Sequence, residues 1–336
     1  MNVLADVDLD TALSQCRALH DVGRYAEAQS LANECVRSSA GEPDLHWKSL
    51  TTLGNVLRAD ERFGPALDAH VNALQIALTR KHAVHTAMSW NNLGVIFVTA
   101  SAWDLAIECF SRVTEDKCLA RASSPYLAHG NLALCHLHLD SIRQGTESIR
   151  QALRLETEAL IARHPHAYVA FRLTFIQLAL QGNRILPDEI NRRAEEARVF
   201  AAGYADTRIG VLSELITANV EFAFGVRSTG LEMMASLRLR AQAIPQIISD
   251  VLFALVQAEK LAGRPERARA YLDEWSLHLY ADGAAQAKTK LDIASWLPTG
   301  EFLKDHLREL GLDTETLPRM PARILELMKG RLDNAA

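Results

Sequence analysis

The feature that most constrains the fold is a pattern of large and small residues that recurs along the chain. Its clearest copy spans residues 90–110 and reads WNNLGVIFVTASAWDLAIECF. In this copy Leu93-Gly94 is followed three residues later by Phe97, and Ala106 comes after a short break. A small residue lets two helices approach closely, and large residues fill the spaces between them. The pattern therefore predicts two helices packed as a hairpin.

The copies are spaced regularly, as the units of a helical array are. Gly54 and Gly94 are 40 residues apart, Gly94 and Ala133 are 39 apart, and Ala28 and Ala66 are 38 apart. A regular step of this size is the sequence signature of a repeat protein, in which each unit buries its apolar face only by stacking on its neighbours.

The copies resemble the tetratricopeptide repeat. Its hallmark is large-x-x-Leu-Gly-x-x-aromatic on one helix and aromatic-x-x-Ala-x-x-x-Phe on the next. The likeness is clearest over 12–155, recurs over 248–280 and is degenerate over 167–243, where two hairpins keep the spacing. The resemblance implies an all-α fold, a right-handed α-solenoid of about seven helical hairpins of a long-step type. We expect this array to occupy residues 1–283, and residues 284–336 to form C-terminal capping or linker helices.

Charge and cysteine content narrow the possible functions. The net charge is −5, from 36 basic and 41 acidic residues, whereas nucleic-acid and anionic-membrane surfaces are bound through clustered basic residues. The five cysteines form no CxxC pair, which favours reduced thiols over a disulfide framework. The acidic start MNVLADVDLDTAL does not resemble a signal peptide, and no stretch reaches the roughly 20 apolar residues of a membrane span. We therefore expect a cytoplasmic protein that binds neither nucleic acid nor membrane.

Asparagines recur on the first helix of three successive hairpins. Asn55 follows Gly54 directly, whereas Asn92 and Asn131 lie two residues before the corresponding small residue, with Asn91 beside Asn92. An asparagine amide both donates and accepts hydrogen bonds, so it pairs with a peptide group whatever the peptide's sequence. The resemblance implies that such residues line a concave groove that holds a peptide. A groove-facing polar residue with no ligand is the alternative.

The resemblance also implies where charge is needed. A clamp for a free C-terminal carboxylate requires basic residues at positions that hold Thr51, Gly130 and Leu134 here. The clamp is therefore not expected. Arg17 and Arg172 lie on the first helices of the flanking hairpins, where they are candidates to supply positive charge at the ends of the groove.

Other candidate sites are weaker. His129, His136 and His138 lie near Cys135 in the sequence. At their spacing along a helix, however, the side chains do not point toward one metal ion. No nucleophile elbow, zinc-protease motif or phosphate-binding glycine loop is present in the sequence, so no catalytic residue, metal or cofactor is predicted. The pair Phe222 and Phe224 is interpreted as core of the sixth hairpin, with a hydrophobic groove as the alternative.

Three functions remain. The first is a non-catalytic scaffold or regulatory module that binds a protein or peptide, in bacterial signal transduction by resemblance. The second is a regulator whose repeats close around a short signalling peptide. The third, an enzyme built on an α-solenoid, requires a constellation of acids or a metal site to which nothing in the sequence points. The partner and the oligomeric state stay open.

Overall fold

A computed structural model shows a chain of helices joined by turns, without a strand among the residues it describes. Those are residues 8–281 apart from 22, 61, 100–102, 124, 183–185, 205–206 and 243–244. The predicted capping helices in 284–336 lie outside the described residues. The all-α fold predicted from the sequence is confirmed.

Seven pairs of long helices follow one another in the described chain, and two short helices are inserted between them. The pairs are α1 (Leu9–Asp21) with α2 (Tyr25–Ser38), α3 (Pro43–Ala59) with α4 (Phe63–Thr79), α5 (Ala83–Thr99) with α6 (Trp103–Glu115), α8 (Tyr126–His138) with α9 (Ile142–Arg154), α11 (Pro165–Gly182) with α12 (Pro187–Ala201), α13 (Arg208–Phe224) with α14 (Arg227–Ala241), and α15 (Pro245–Leu261) with α16 (Pro265–Ala281). The short helices are α7 (Lys117–Ala122) and α10 (Glu158–Arg163). The term first helices refers below to the helix that begins each pair. These are α1, α3, α5, α8, α11, α13 and α15.

The chain divides into two compact units between residues 124 and 125. Among the described residues, unit 1 contains α1 to α7 and unit 2 contains α8 to α16. Sequence patterns did not indicate this division, because the repeat spacing continues across it.

Unit 1 packs through the small and large residues of the repeat. Gly54 of α3 lies under the ring of His70 in α4, and Gly94 of α5 lies under the ring of Phe110 in α6. A Cβ atom on either glycine would come within 2.5 Å of the ring above it. The predicted reason for Gly94, a close approach of consecutive helices, is therefore confirmed. His70 stands where the repeat normally places an aromatic residue, 16 positions after the glycine.

Three of the turns inside hairpins share one backbone conformation. Gly23 and Gly263 have φ values of +76° and +71°, and both stand two residues before the second helix of their hairpin. Asp140 occupies the same place in the fourth hairpin with φ of +58°. Glycine adopts this left-handed conformation without the steric cost that a Cβ atom imposes.

Unit 2 buries its first helices more completely. In α11 the nine consecutive residues 171–179 are all buried, and the helix contacts α8, α9, α12 and α13. The ring of Phe171 lies against Gly130 of α8, where a Cβ atom would come within 1.9 Å of it. A helix enclosed on all sides loses the apolar stripe by which amphipathic helices are recognised in sequence, which explains why the repeat is degenerate here.

Candidate functional site

In unit 1 the outward sides of α1, α3 and α5 form a surface that we call the first-helix face. The helix α1 contacts α3, and α3 contacts α5. Thr51, Thr52 and Asn55 lie on one side of α3 at helical spacing and are half-buried, whereas Leu53 and Gly54 on the other side are buried. A ligand can therefore contact the half-buried side of α3 without any rearrangement of the buried residues.

Two predicted asparagines lie on this face with their amides available. Asn55 and Asn92 are half-buried, and neither side chain forms a hydrogen bond with any residue in the described part of the chain. Asn91 is also half-buried but already interacts within the chain. Beside Asn92 at helical spacing lie Met88, 42% exposed, and the half-buried Val95. The face on α5 thus combines an amide with apolar surface.

Charged residues lie at the α1 side of the face. The Lys48 ammonium on α3 binds Asp10 of α1 at 3.0 Å, and both side chains are about half exposed. Arg17 is exposed, and its guanidinium lies over its own helix, donating to the Leu13 carbonyl at 3.3 Å and to the Ser14 hydroxyl at 3.3 Å. These weak local contacts are easily exchanged for contacts with a ligand.

The predicted site residues in unit 2 behave differently. Asn131 is half-buried on α8 and already interacts within the chain. Arg172 is 2% exposed, although it was predicted to supply charge at the end of a groove. Its guanidinium binds Glu156 at 2.7 Å and Glu196 at 2.9 Å, and it stacks on the Tyr168 ring at 3.5 Å from the centroid. Arg172 is thus an interior residue that ties α11 to α12 and to the segment after α9, which corrects its assignment to the groove.

The charge balance around Arg172 explains why it tolerates burial. Burial by itself disfavours the charged form, but the bidentate bond to Glu156 and the charge of Glu196 raise the pKa of Arg172 above its usual value. Partial burial would raise the pKa of Glu196, yet Arg172 and Arg193 hold that pKa below its usual value. The cluster is thus a paired and hydrogen-bonded ionic group, the form in which buried charges are tolerated.

Unit 2 has an open depression that sequence patterns did not reveal. It lies where the C-terminal ends of α11, α13 and α15 meet, and its interior has room for about one water molecule. Its lining consists of Gln177, Leu180, Gln181, Asn219, Phe222, Ala254, Gln257, Ala258 and Leu261. These residues come from three helices far apart in sequence, so only the fold brings them together. Phe222 is 4% exposed, as expected for core, whereas Phe224 is 46% exposed.

The histidines form aromatic stacks. His82 and His85 stack at 3.6 Å between ring centroids, and His85 stacks in turn on Trp47 at 3.8 Å. His138 packs against Phe253 at 4.7 Å, and burial lowers the pKa of His138 to about 4. Across the residues that the structure describes, no three histidine, cysteine, aspartate or glutamate side chains are grouped to hold a metal ion. None of the described helices is both long enough and apolar enough to cross a membrane.

Comparison with known proteins identifies the fold. No protein-family model and no curated protein matches the sequence. Among solved structures, the chain is similar to a Rap protein in complex with competence and sporulation factor, with 11% identity over 98% of this chain and 99% of that one and a TM-score of 0.53. It is also similar to a tetratricopeptide repeat protein from Parabacteroides merdae, with 14% identity over 84% of this chain and 98% of that one and a TM-score of 0.47.

The seven helical hairpins and the likeness to the Rap protein structure therefore give the chain the fold of tetratricopeptide-like helical-repeat proteins. This confirms the resemblance found in the sequence. At these identities the likeness establishes the fold alone.

Proposed function

We propose that the protein is a non-catalytic regulatory scaffold that binds a peptide or an extended segment of a partner protein on the first-helix face of unit 1. The observation that carries the proposal is the pair of amides on Asn55 and Asn92, which have no hydrogen-bond partner among the described residues and lie on neighbouring first helices. An amide in this position pairs with the N–H and C=O groups of a peptide backbone.

The surroundings of the two asparagines suit an extended ligand. Met88 and Val95 offer apolar contact on α5, and flexible methionine side chains adapt to varied ligand side chains. Because α3 and α5 pack closely on α4 and α6 at Gly54 and Gly94, the face is formed before the ligand binds. A preformed surface keeps more of the interaction energy as affinity.

The likeness to a Rap protein solved with competence and sporulation factor supports a regulatory role. It also favours a second candidate, a regulator whose repeats close around a short signalling peptide. Both candidates place the protein in bacterial signal transduction in the cytoplasm. Compaction on peptide addition, measured by small-angle scattering, distinguishes the second candidate from a passive scaffold, which keeps its dimensions.

The test is a comparison of matched asparagine variants. Partners captured from the native cell by the wild-type chain are quantified by mass spectrometry, and the affinity of the most enriched partner is then measured with purified protein. Asn55→Ala combined with Asn92→Ala is expected to weaken binding by about 10-fold or more, since each lost buried hydrogen bond costs about 1 kcal/mol.

The control is Asn72→Ala, because Asn72 is an exposed asparagine on the second helix α4 of the same unit. This variant is expected to bind as the wild type does. Unchanged affinity in the double variant, with an unchanged melting temperature, would show that the partner binds elsewhere.

A further inference from the structure

A stack of three aromatic rings joins the N-terminal ends of α3 and α5. The Trp47 indole of α3 lies parallel to the His85 ring of α5, with 3.8 Å between the ring centroids and 3° between the planes. The His82 ring, directly before α5, continues the stack at 3.6 Å and 14°. The stack runs from the buried Trp47 through His85, whose side chain is 15% exposed, to the exposed His82. We call these three residues the ring junction.

Polar contacts of the ring junction cross between the same two helices. The Trp47 indole N–H donates to the Ser89 hydroxyl of α5 at 3.0 Å. The His85 Nδ1 atom lies 4.0 Å from a carboxylate oxygen of Asp44 on α3. The contact between the starts of α3 and α5 therefore depends on an indole, an imidazole and a carboxylate.

His82 also caps the N-terminus of α5. Its carbonyl oxygen accepts the Thr86 N–H at 2.9 Å, and its Nδ1 atom accepts the His85 N–H at 3.3 Å. These are the two bonds by which an N-cap residue satisfies the first N–H groups of a helix. Because Nδ1 accepts a hydrogen bond only while it carries no proton, the cap requires the neutral ring.

Other helices in the chain are capped by oxygen atoms. Asp116 caps α7 and Thr157 caps α10 through side-chain oxygens. A carboxylate or hydroxyl oxygen remains an acceptor across the neutral pH range, whereas an imidazole nitrogen loses its lone pair to a proton there. The cap of α5 therefore responds to protons near neutral pH, and oxygen caps do not.

The surroundings of His85 disfavour its protonated form. Burial is the largest cause that lowers the pKa of His85, and the stacked His82 lowers it further. On α3, Asp44 raises that pKa and Lys48 lowers it. Because the pKa of His85 is lowered by folding, the unfolded chain binds a proton at a pH where the folded ring does not. The ring junction therefore loses stability as pH falls through that range.

Further charges lie on the neighbouring elements. Lys48 is paired with Asp10 of α1 at 3.0 Å, and Arg80 and Lys81 follow α4 and directly precede His82. A protonated His82 would thus add a third cation to this turn, and it would also meet the positive end of the α5 dipole. A proton on His82 is therefore accommodated only at the expense of the cap and the stack.

The ring junction is continuous with the first-helix face. His85, Met88 and Asn92 follow one another along one side of α5 at helical spacing. Asp44 lies about three turns before Asn55 on α3. Because the ring junction joins the two helices where these lines of residues begin, the spacing between the amides of Asn55 and Asn92 depends on it.

We propose that the ring junction is a proton-sensitive switch that controls ligand binding on the first-helix face. With both imidazoles neutral, the cap and the stack hold the start of α5 against α3, and the face binds its ligand. A proton taken from solvent by His82 removes the Nδ1 acceptor and places a cation against His85, so the start of α5 separates from α3 and the face binds more weakly. The regulation rests on the function proposed above, whereas the opening of α5 does not.

Hydrogen exchange of the full chain, without a partner, tests the opening of α5. Rates in residues 83–90 are measured at pH 7.5 and pH 5.5 and compared with the intrinsic rates at each pH, which gives a protection factor. The wild type is expected to lose protection by about fivefold at pH 5.5, the equivalent of one lost N-cap.

Variants identify the atom that responds. His82→Asn should keep its protection at pH 5.5, because an asparagine oxygen caps a helix but takes up no proton in this range. His85→Phe keeps a neutral ring on Trp47 and should lose less protection than the wild type. His166→Asn is the matched control, since His166 lies in the first turn of α11 in unit 2; in residues 83–90 it should respond to pH as the wild type does. All four proteins share His70, so its titration cancels in the comparison.

The regulation is tested with the most enriched partner from the capture experiment above. His82→Asn should bind this partner as the wild type does at pH 7.5 and about fivefold more tightly than the wild type at pH 5.5. Titration of the partner itself affects both proteins equally and does not enter this ratio.

Two results would overturn the proposal. One is a change in protection that is absent from the wild type or equal in His82→Asn. The other is equal affinity of the two proteins at pH 5.5 despite a difference in protection, which would show that α5 opens without controlling the face. Normal partner binding by Asn55→Ala, Asn92→Ala protein would instead remove the proposed function, and the regulation with it. Because the exchange measurement uses no partner, the two failures are distinguishable.

Discussion

In unit 1 the outward side of α3 and α5 is half-buried and polar, whereas in unit 2 the first helix α11 is buried over nine consecutive residues. Both units use the same hairpin, and both keep glycines under aromatic or other large side chains of a neighbouring helix. They differ in what surrounds the first helix. In unit 1 one side meets solvent; in unit 2 neighbouring helices cover it.

This difference teaches how one repeat serves two purposes. Where the first helices keep an open side, side chains such as Asn55 and Asn92 are free for recognition. Where they are enclosed, a charged residue such as Arg172 must find its partners inside the protein, because an unpaired buried charge is very costly. Unit 2 then offers its apolar surface at the turns, at residues such as Phe224 and Leu261.

The largest effect is expected from removing the buried cation of unit 2. Arg172→Ala removes the cation that Glu156 and Glu196 share and leaves Glu156 without its bidentate partner, whereas Glu196 keeps its contacts with Arg192 and Arg193. Breaking a buried ion pair by removing one partner costs about 3–5 kcal/mol, so the free energy of unfolding in urea should fall by that amount.

The control for this change is Arg198→Ala. Arg198 pairs with Glu195 on the same α12 helix, but both side chains are more than half exposed, so water replaces the lost contact. A stability loss as small in Arg172→Ala as in Arg198→Ala would contradict the structural role of Arg172.

The next effect tests the glycine contact in unit 1. Gly94→Leu forces a large side chain against the Phe110 ring, and overpacking of this kind costs about 1–3 kcal/mol or more. Gly41→Leu is the matched control, since a Cβ atom at Gly41 meets nothing within 4 Å. The melting temperature should fall in Gly94→Leu and stay near that of the wild type in Gly41→Leu. A Gly94→Leu protein as stable as the wild type would refute the packing of α5 on α6.

A smaller effect is expected at His70, the imidazole above Gly54. The side chain is fully buried, and neither ring nitrogen has a hydrogen-bond partner among the described residues. In the next hairpin Phe110 occupies the corresponding position. His70→Phe should therefore stabilise unit 1 by about 1–2 kcal/mol at pH 7, because an unpaired buried polar group is removed.

The same variant is also expected to change how the free energy of unfolding depends on pH. Burial lowers the pKa of His70 to about 3, from an ordinary value of 6.5. Between these values the unfolded chain binds a proton that the folded chain does not, so stability falls as pH falls below 6.5, by about 1.4 kcal/mol per pH unit. His70→Phe should lose this contribution in urea titrations between pH 6.5 and pH 4; an unchanged slope would show that His70 is not buried as a neutral ring.

Much of unit 1 was predictable from the sequence because its contacts are local. Gly94 and Phe110 are 16 residues apart and belong to one hairpin, so the pair appears as a motif in the printed chain. The candidate asparagines of unit 1 were predicted for the same reason, since their place relative to the glycine sets the side of the helix on which they lie.

Unit 2 was less predictable because its defining contacts are not local. An arginine is ordinarily exposed, and nothing near Arg172 in sequence announces that Glu156 and Glu196 enclose it. The depression joins α11, α13 and α15, which no motif connects. The short helices α7 and α10 were also missed, although Asp116 and Thr157 accept hydrogen bonds from their first N–H groups as N-caps.

Hydrogen exchange of the full chain with and without its captured partner tests the central proposal most directly, because it reports which helices the partner covers. The predicted result is slower backbone amide exchange in peptides spanning residues 48–58 and 88–99, with no change in residues 171–179. Protection confined to unit 2, with residues 48–58 and 88–99 unaffected, would contradict the assignment of partner binding to the first-helix face of unit 1.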